Sequence, residues 1–221
     1  MAKYFFTSRF GGVSTSDFAQ LNLGDRVGDA PDSVNRNRKH LGDYLSLDNL
    51  VFMNQSHGTE VFTVEKEYPV QIDADALITS DPSISLAVLT ADCIPLLIDA
   101  GSYVAAVHVG RKGLVNGIIP HVMDVLLGKG GTPMKAWIGP SICGKCYEVS
   151  SEMYEDVVRD FPVAATTPEL HCLDLPATAT DQLAEYGVKT KNFHRCTLES
   201  PYYFSYRAHA VTGRLAGVIS L

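Results

Sequence analysis

The stretch of sequence that decides the fold is LAVLTADCIPLLIDAGSYVAAVHV, residues 86–109. It holds three short apolar runs, at 86–90, 95–99 and 104–109, separated by residues that favour turns. Successive positions within each run are apolar, so both faces of the strands that the runs predict have to be buried. We therefore expect this segment to lie at the centre of a β-sheet.

The flanking sequence predicts further strands and several helices around that centre. Strands are expected at residues 3–7, 51–53, 61–65, 76–79, 136–138, 203–206 and 215–219. Helices are expected at residues 29–45, 114–127, 151–161 and 178–186. No low-complexity linker divides these elements. The pattern predicts one α/β (α+β) domain over residues 1–221, with a mixed β-sheet core and helices packed outside it.

Composition excludes several classes of protein. The chain has 18 Lys+Arg and 25 Asp+Glu in 221 residues, a net charge of −7, and no basic tract suited to nucleic acid or an anionic membrane. Residues 1–12 lack an apolar stretch of signal-peptide length, and residues 86–98 are too short to span a bilayer. A cytoplasmic location is therefore expected. Five cysteines cannot all form disulfides, which favours free thiols or metal ligands.

Three residues at the ends of strand-like runs are candidates for chemistry: His57, Cys93 and His108. Imidazole and thiolate are preferred ligands of zinc, and three protein ligands leave a fourth position open, as catalytic sites require. The spacing alone leaves two alternatives. One is an inert thiol with core histidines, and the other is a Cys93 nucleophile with a histidine base, as in a metal-free cysteine hydrolase.

A series of motifs in fixed order favours one family. The motifs are FTSRFGG at 6–12, QSHGTEV at 55–61, TADCIPLL at 90–97, HVGRKG at 108–113, IGPSI at 138–142, CYEV at 146–149 and FSYR at 204–207. Together they resemble the YfiH-like laccase-domain family, also called the multicopper polyphenol oxidoreductase or purine nucleoside phosphorylase family. The resemblance runs from about residue 4 to residue 219.

The resemblance implies a mixed β core sandwiched between helical layers and a catalytic metal on His57, Cys93 and His108. It implies Zn²⁺-dependent phosphorolysis of adenosine, guanosine or inosine, cleavage of methylthioadenosine and deamination of adenosine, so the expected partners are a purine nucleoside and phosphate. The family's older label implies Cu²⁺-dependent oxidation of phenols. Seven singly scattered histidines do not suit a multicopper cluster, which favours zinc. The oligomeric state stays open.

The candidate phosphate or substrate ligands are Arg9, Lys112 and Arg207, although each could also form an ordinary surface ion pair. The family usually has Trp and then Arg after His-x-Gly, where this chain has Arg111 and Lys112. It also has Ala208 where a second Arg often follows. Lysine lacks the planar fork that binds phosphate in a bidentate manner. The departures keep open the alternative of a binding module with a vestigial site.

Asp92 is a further catalytic candidate, to orient a ligand or activate water, with turn capping as the alternative. The spacing of Cys143 and Cys146 is that of a zinc knuckle, which with Cys172 and Cys196 would form a four-thiolate site. The other possibilities for this loop are substrate-contacting or redox thiols near the active site and thiols without a special role.

Overall fold

The computed structural model describes residues 2–132 and 135–221. Its strands are β1 (Lys3–Phe6), β2 (Leu50–Val51), β3 (Val61–Thr63), β4 (Ala76–Thr79), β5 (Ser85–Thr90), β6 (Ile94–Asp99), β7 (Val104–Val109), β8 (Lys135–Ile138), β9 (Ala165–Thr167), β10 (Cys172–Leu173), β11 (Lys189–Asn192) and β12 (Leu215–Ser220). Its α-helices are α1 (Pro31–Leu45), α2 (Arg111–Val115), α3 (Ile118–Gly128), α4 (Ser151–Asp160) and α5 (Leu175–Glu185). Short 3-10 helices span Ser16–Phe18, Pro162–Ala164 and Pro168–Leu170.

The strands form two large mixed sheets and one small pair. The six-stranded sheet has the order β11-β8-β6-β7-β4-β3, and the four-stranded sheet has the order β1-β12-β5-β2. Strands β9 and β10 pair separately. Parallel pairs, such as β3 with β4, occur beside antiparallel pairs, such as β6 with β7. The three apolar runs of residues 86–109 form β5 in the four-stranded sheet and β6 and β7 in the six-stranded sheet. Every residue of these strands is buried, as predicted, but the segment contributes to the centre of two sheets rather than one.

The two sheets pack face to face because their strands are apolar on both sides. Leu97 of the six-stranded sheet packs in one cluster with Val88 and Ile219 of the four-stranded sheet. The neighbouring residues of β6, Leu96 and Ile98, point to the opposite face and pack in a separate cluster. Both faces of the six-stranded sheet therefore contribute to a core.

Helices cover the outer faces of both sheets. Ile118, Val122 and Leu126 of α3 recur every four residues and pack on the outer face of the six-stranded sheet. On the outer face of the four-stranded sheet, Leu41 of α1 packs with Ala87. The expected sheet core between helical layers is confirmed. Among the described residues, no helix is both long and apolar enough to cross a lipid bilayer.

Two elements predicted from sequence differ in the structure. The helix expected at 114–127 is interrupted between α2 and α3, because Gly117 has a φ of +88°, which a right-handed helix cannot contain. The strand expected at 203–206 is wrong. That segment folds into turns around Phe204, whose side chain is completely buried. A polar edge strand, β11, was not predicted, because an edge strand needs no continuous apolar face.

The dependence of the fold on the core between the sheets is testable at Leu97. Leu97→Ala removes a completely buried side chain, so we expect it to lower the free energy of unfolding by about 2–5 kcal/mol in urea titrations. Val70→Ala, at a fully exposed position, is the control and should leave that free energy unchanged. Equal stability of the two variants would contradict the packing described above.

Candidate functional site

Two strand ends bring Cys93 and His108 together. Cys93 lies in the three-residue connection from β5 to β6, directly before Ile94. The antiparallel register of β6 and β7 pairs Ile94 with Val109 and Pro95 with His108. The third candidate, His57, comes from the loop between β2 and β3. Three separate parts of the chain thus meet at one end of the six-stranded sheet.

The three side chains form a compact cluster that is open on one side. The Sγ atom of Cys93 lies 3.8 Å from Nε2 of His57, and the ring centroids of His57 and His108 are 4.7 Å apart. The potential ligand atoms of all three residues lie within 4.8 Å of one another. His108 is buried, Cys93 is partly buried and His57 is exposed. A Cβ on Gly110 would lie only 2.9 Å from Cδ2 of His57, so this close packing requires glycine.

A buried carboxylate holds two of these residues in place. Asp75 is fully buried, and its Oδ1 accepts hydrogen bonds from Nδ1 of His108 at 2.7 Å and from the backbone N–H of His57 at 2.9 Å. Its Oδ2 accepts from both the N–H and the hydroxyl of Ser56 and from the N–H of Gly58. These bonds stabilise the turn in which His57 has a φ of +63°.

The electrostatics of the cluster follow from these contacts. Burial acts to raise the pKa of Asp75, but the hydrogen bonds from His108 and Gly58 outweigh it and hold the pKa well below its usual range. The carboxylate is therefore charged at neutral pH. With Nδ1 of His108 bound to it, Nε2 of the same ring is left for a ligand on the Cys93 side.

Cys93 and His108 perturb each other. Burial raises the pKa of Cys93, but the His108 and His57 imidazoles outweigh it and lower the pKa to about 6. Burial lowers the pKa of His108, but Cys93 and Asp75 outweigh it and raise the pKa to about 9. The arrangement favours a thiolate at neutral pH, the form in which cysteine binds metals or attacks electrophiles.

The donor set and spacing fit a zinc ion. Zinc bonds of roughly 2.0–2.3 Å to nitrogen and sulfur place tetrahedral ligands about 3.6 Å apart, close to the 3.8 Å between Cys93 and His57. Three protein ligands with one open side match a catalytic rather than a closed site. Within residues 2–132 and 135–221, the other group of potential ligands is rich in cysteine: Cys143, Cys146, Cys196 and Glu199. Neither group is the histidine-rich cluster that a multicopper oxidase needs.

The cluster lines a cavity of about 700 Å³, within the roughly 300–1,000 Å³ typical of small-molecule sites. The cationic residues that line it are Arg26, Arg111, Lys112, Arg207 and Arg214. Two acidic residues, Asp25 and Asp92, and two aromatic ones, Tyr147 and Tyr206, also line it. The local charge is thus positive, opposite in sign to the net charge of the whole chain.

Two of the three predicted phosphate ligands lie in this cavity, and one does not. Lys112 lies at the start of α2, and the exposed Arg207 packs its guanidinium over the ring of Tyr147. Arg9 lies outside the cavity, because its Nε donates to the carbonyl of Ala19 and its guanidinium stacks over Phe204. It lines a different cavity.

Asp92 lines the cavity, and its carboxylate connects two loops. Its Oδ1 accepts from the hydroxyl of Thr197 and its Oδ2 from the backbone N–H of Arg207, both at 2.6 Å. Its own carbonyl accepts from the N–H of Ile142. These contacts favour the turn-holding alternative for Asp92, and its catalytic role stays a prediction.

Sequence reasoning missed Asp75, Arg26 and Arg214. Asp75 has one recognisable signal, since it is an acidic residue directly before the fully buried strand β4, where an unpaired carboxylate would be costly. Arg26 and Arg214 are far apart in sequence, and only the folded chain brings them to one cavity. Arg111, which departs from the family motif, also lines this cavity.

Known proteins that are similar in sequence show the family of this chain. The family model described as multi-copper polyphenol oxidoreductase laccase matches residues 3–221. The chain belongs to this family. It is 39% identical to a purine nucleoside phosphorylase of Streptomyces griseus over all of this chain and 94% of that protein. It is 42% identical to a purine nucleoside phosphorylase of Corynebacterium glutamicum over 98% of this chain and 93% of that protein.

Solved structures of relatives share the fold. YfiH of Bacillus licheniformis superposes with a TM-score of 0.91 at 30% identity, over all of this chain and 92% of that chain. A Neisseria meningitidis protein superposes with a TM-score of 0.90 at 34% identity, over all of this chain and 94% of that chain. The family resemblance carried by the motifs is confirmed.

The role of Asp75 can be tested through metal affinity. Asp75→Asn replaces one acceptor oxygen with a donor, so it cannot keep all the bonds to His108 and the 56–58 turn. We expect zinc to bind about 10–100-fold more weakly in competition titrations with a chromogenic chelator. Asp81→Asn, at a carboxylate that accepts hydrogen bonds from the N–H and hydroxyl of Ser83, is the control. Unchanged affinity in Asp75→Asn would contradict the positioning role.

Proposed function

We propose that this protein is a zinc-dependent purine nucleoside phosphorylase that acts on adenosine, inosine, guanosine and methylthioadenosine, with adenosine deaminase side activity. The observation that carries the proposal is the placement of the His57–Cys93–His108 cluster inside a cavity lined by five cationic side chains. Relatives 34–42% identical to the chain are named purine nucleoside phosphorylases, which supports the same activity here.

The cavity offers suitable contacts for a purine base. Tyr147 and Tyr206 present aromatic surface, and Met53 and Ile142 present apolar surface. The hydroxyl of Thr90 is buried in the cavity lining without a hydrogen-bond partner in the described part of the chain. A buried unpaired hydroxyl is costly, so a polar edge of the base or the ribose is its expected partner.

The cationic residues are suited to phosphate. Arg111 and Lys112 lie together at the start of α2, and Arg207 lies on the same cavity. Nη1 of Arg207 donates to the carbonyl of Glu148, which fixes one edge of its guanidinium. Arg111 supplies a planar fork that Lys112 lacks. We therefore assign phosphate binding to these three residues.

In phosphorolysis the glycosidic bond loosens and positive charge develops on the ribose, while negative charge develops on the departing purine. Arg111, Lys112 and Arg207 hold the phosphate nucleophile close to C1′ and neutralise its charge. A zinc ion bound by the three-residue cluster would supply Lewis-acid stabilisation of charge that develops on the purine or, in deamination, on attacking water. Asp75 keeps His108 in one tautomer and orientation throughout.

A metal-free cysteine hydrolase is the second candidate, and one observation favours it. Cys93 lies 3.8 Å from His57, and His108 is hydrogen-bonded to Asp75 at 2.7 Å. A thiol, a histidine and a histidine-orienting carboxylate are also the components of cysteine nucleophile sites. The two candidates differ in whether turnover needs the metal.

Removing one cluster residue should abolish phosphorolysis. His57→Ala or Cys93→Ser removes a ligand, and we expect kcat/KM for inosine to fall more than about 100-fold in assays of hypoxanthine release. His40→Ala, at an exposed histidine of α1, should match the wild type. Full activity of His57→Ala would contradict the proposed centre.

The phosphate assignment predicts a selective kinetic effect. Lys112→Ala removes one charge from the cavity rim, so we expect KM for phosphate to rise about 10-fold, while KM for inosine changes little. Lys112→Arg should retain or improve phosphate binding because it restores a bidentate fork. The surface variant Lys39→Ala serves as the control. An equal rise in both KM values would argue against a phosphate-specific role.

Metal removal separates the candidate activities. Dialysis against a strong chelator should abolish phosphorolysis, and added zinc should restore it if zinc is the metal. Retention of turnover in metal-free protein, with loss on alkylation of Cys93, would support the hydrolase instead. Phenol oxidation that requires added copper would support the copper alternative.

A further inference from the structure

We propose that Cys143, Cys146, Cys196 and Glu199 form a second zinc site, closed and structural, distinct from the His57–Cys93–His108 cluster. The potential ligand atoms of the four residues lie within 4.8 Å of one another. All three thiols are free in the structure. The proposal rests on these residues alone and does not depend on the proposed activity.

The first two ligands come from one tight turn. The backbone N–H of Cys146 donates to the carbonyl of Cys143 at 3.0 Å, and the N–H of Tyr147 donates to the same carbonyl at 3.1 Å. A turn closed in this way brings cysteines three positions apart to one side of the chain. The C-x2-C spacing is that of zinc knuckles.

A short parallel bridge brings the third ligand. Ser141 pairs with Cys196 across the two segments. The N–H of Ser141 donates to the carbonyl of Arg195 at 3.0 Å, and the N–H of Thr197 donates to the carbonyl of Ser141 at 3.1 Å. The backbone therefore holds Cys196 beside the knuckle before any metal binds.

The fourth ligand closes the site on its solvent side. Glu199 is exposed, whereas the three cysteines are partly buried. Zinc–sulfur bonds of about 2.3 Å place tetrahedral thiolates about 3.8 Å apart, so the ligands need to move together by at most about 1 Å from the observed limit of 4.8 Å. Four protein ligands leave no open position, which is the mark of a structural site.

The remaining cysteine does not belong to this group. The four-thiolate site predicted with Cys172 is wrong, because that residue is absent from the ligand group. Its buried Sγ lies 3.5 Å from the carbonyl oxygen of Lys145 and 3.7 Å from that of Leu170. Glu199 occupies the fourth place instead. Glu199 follows Cys196 at the same spacing as Cys146 follows Cys143, but the sequence does not show that the two segments meet; folding brings them together.

The site would fix one wall of the catalytic cavity. The knuckle lies between Ile142 and Tyr147, and both of these residues line that cavity. On the other segment, Thr197 donates its hydroxyl to Asp92, next to Cys93. A zinc ion here would cross-link the two segments on which these contacts depend, and metal-binding free energy would add to folding free energy.

The test is the zinc content of native protein purified without chelators, measured by plasma mass spectrometry per chain. We expect two zinc ions in the wild type, one in Cys196→Ser, one in His57→Ala and two in the control Cys172→Ala. With cobalt in place of zinc, the thiolate charge-transfer absorption should fall by most of its intensity in Cys196→Ser, because three thiolates serve this site and one serves the other.

Glu199→Gln changes an exposed residue and keeps all three thiols, so it tests the second zinc site if Cys196→Ser does not fold. We expect it to release one zinc to a competing chelator at least 10-fold faster than the wild type does. A single zinc in the wild type that persists in Cys196→Ser, or a native disulfide within the group, would overturn the proposal. If the proposed activity alone is wrong, Cys196→Ser still holds one zinc ion fewer than the wild type.

Discussion

The His57–Cys93–His108 cluster depends on the buried carboxylate of Asp75. One group accepts hydrogen bonds from the ring of His108 and from the turn that carries His57, residues 51 positions apart in sequence. Cys93 joins them because the β6–β7 register places the end of β6 beside His108. A buried charged group is tolerated only when it is fully hydrogen-bonded. The hydrogen bonds that make the burial of Asp75 tolerable are the same ones that position His57 and His108.

A second constraint is charge. The chain is acidic overall, with a net charge of −7, yet five of the seven Asp, Lys and Arg residues that line the cavity are cationic. A dianionic substrate such as phosphate has to be attracted by this local field against that of the whole protein. The Arg111-Lys112 pair meets this requirement, because both side chains line the cavity. The family motif usually has Trp and Arg at these two positions.

The burial of the central strands and the proximity of Cys93 to His108 have identifiable causes in the sequence. The strands of residues 86–109 are apolar on both faces, so their burial can be predicted without knowing which other elements cover them. Cys93 and His108 flank strands that are adjacent in sequence, so their convergence follows from one hairpin. Asp75 and Arg214 contribute through contacts that sequence spacing does not encode. Arg9 was predicted on charge and motif, but its guanidinium packs on Phe204 instead.

The elements that sequence misplaced are also physically understandable. The apolar spacing of 114–127 continues through Gly117, so it does not reveal the break between α2 and α3. The aromatic run at 203–206 is typical of a strand, but Phe204 is buried as a single anchor and the segment turns toward Asp92. In each case a single contact or backbone angle overrides the local pattern.

The proposed function requires the three-residue cluster and the cationic residues that line the cavity to act together in the phosphorolysis of a purine nucleoside. Phosphorus NMR of zinc-loaded protein with inosine and phosphate tests this most directly, combined with quantification of the free base. We expect ribose 1-phosphate and hypoxanthine in equal amounts, with no base released when phosphate is omitted. Base release independent of phosphate, or unchanged inosine in protein of confirmed zinc content, would contradict it.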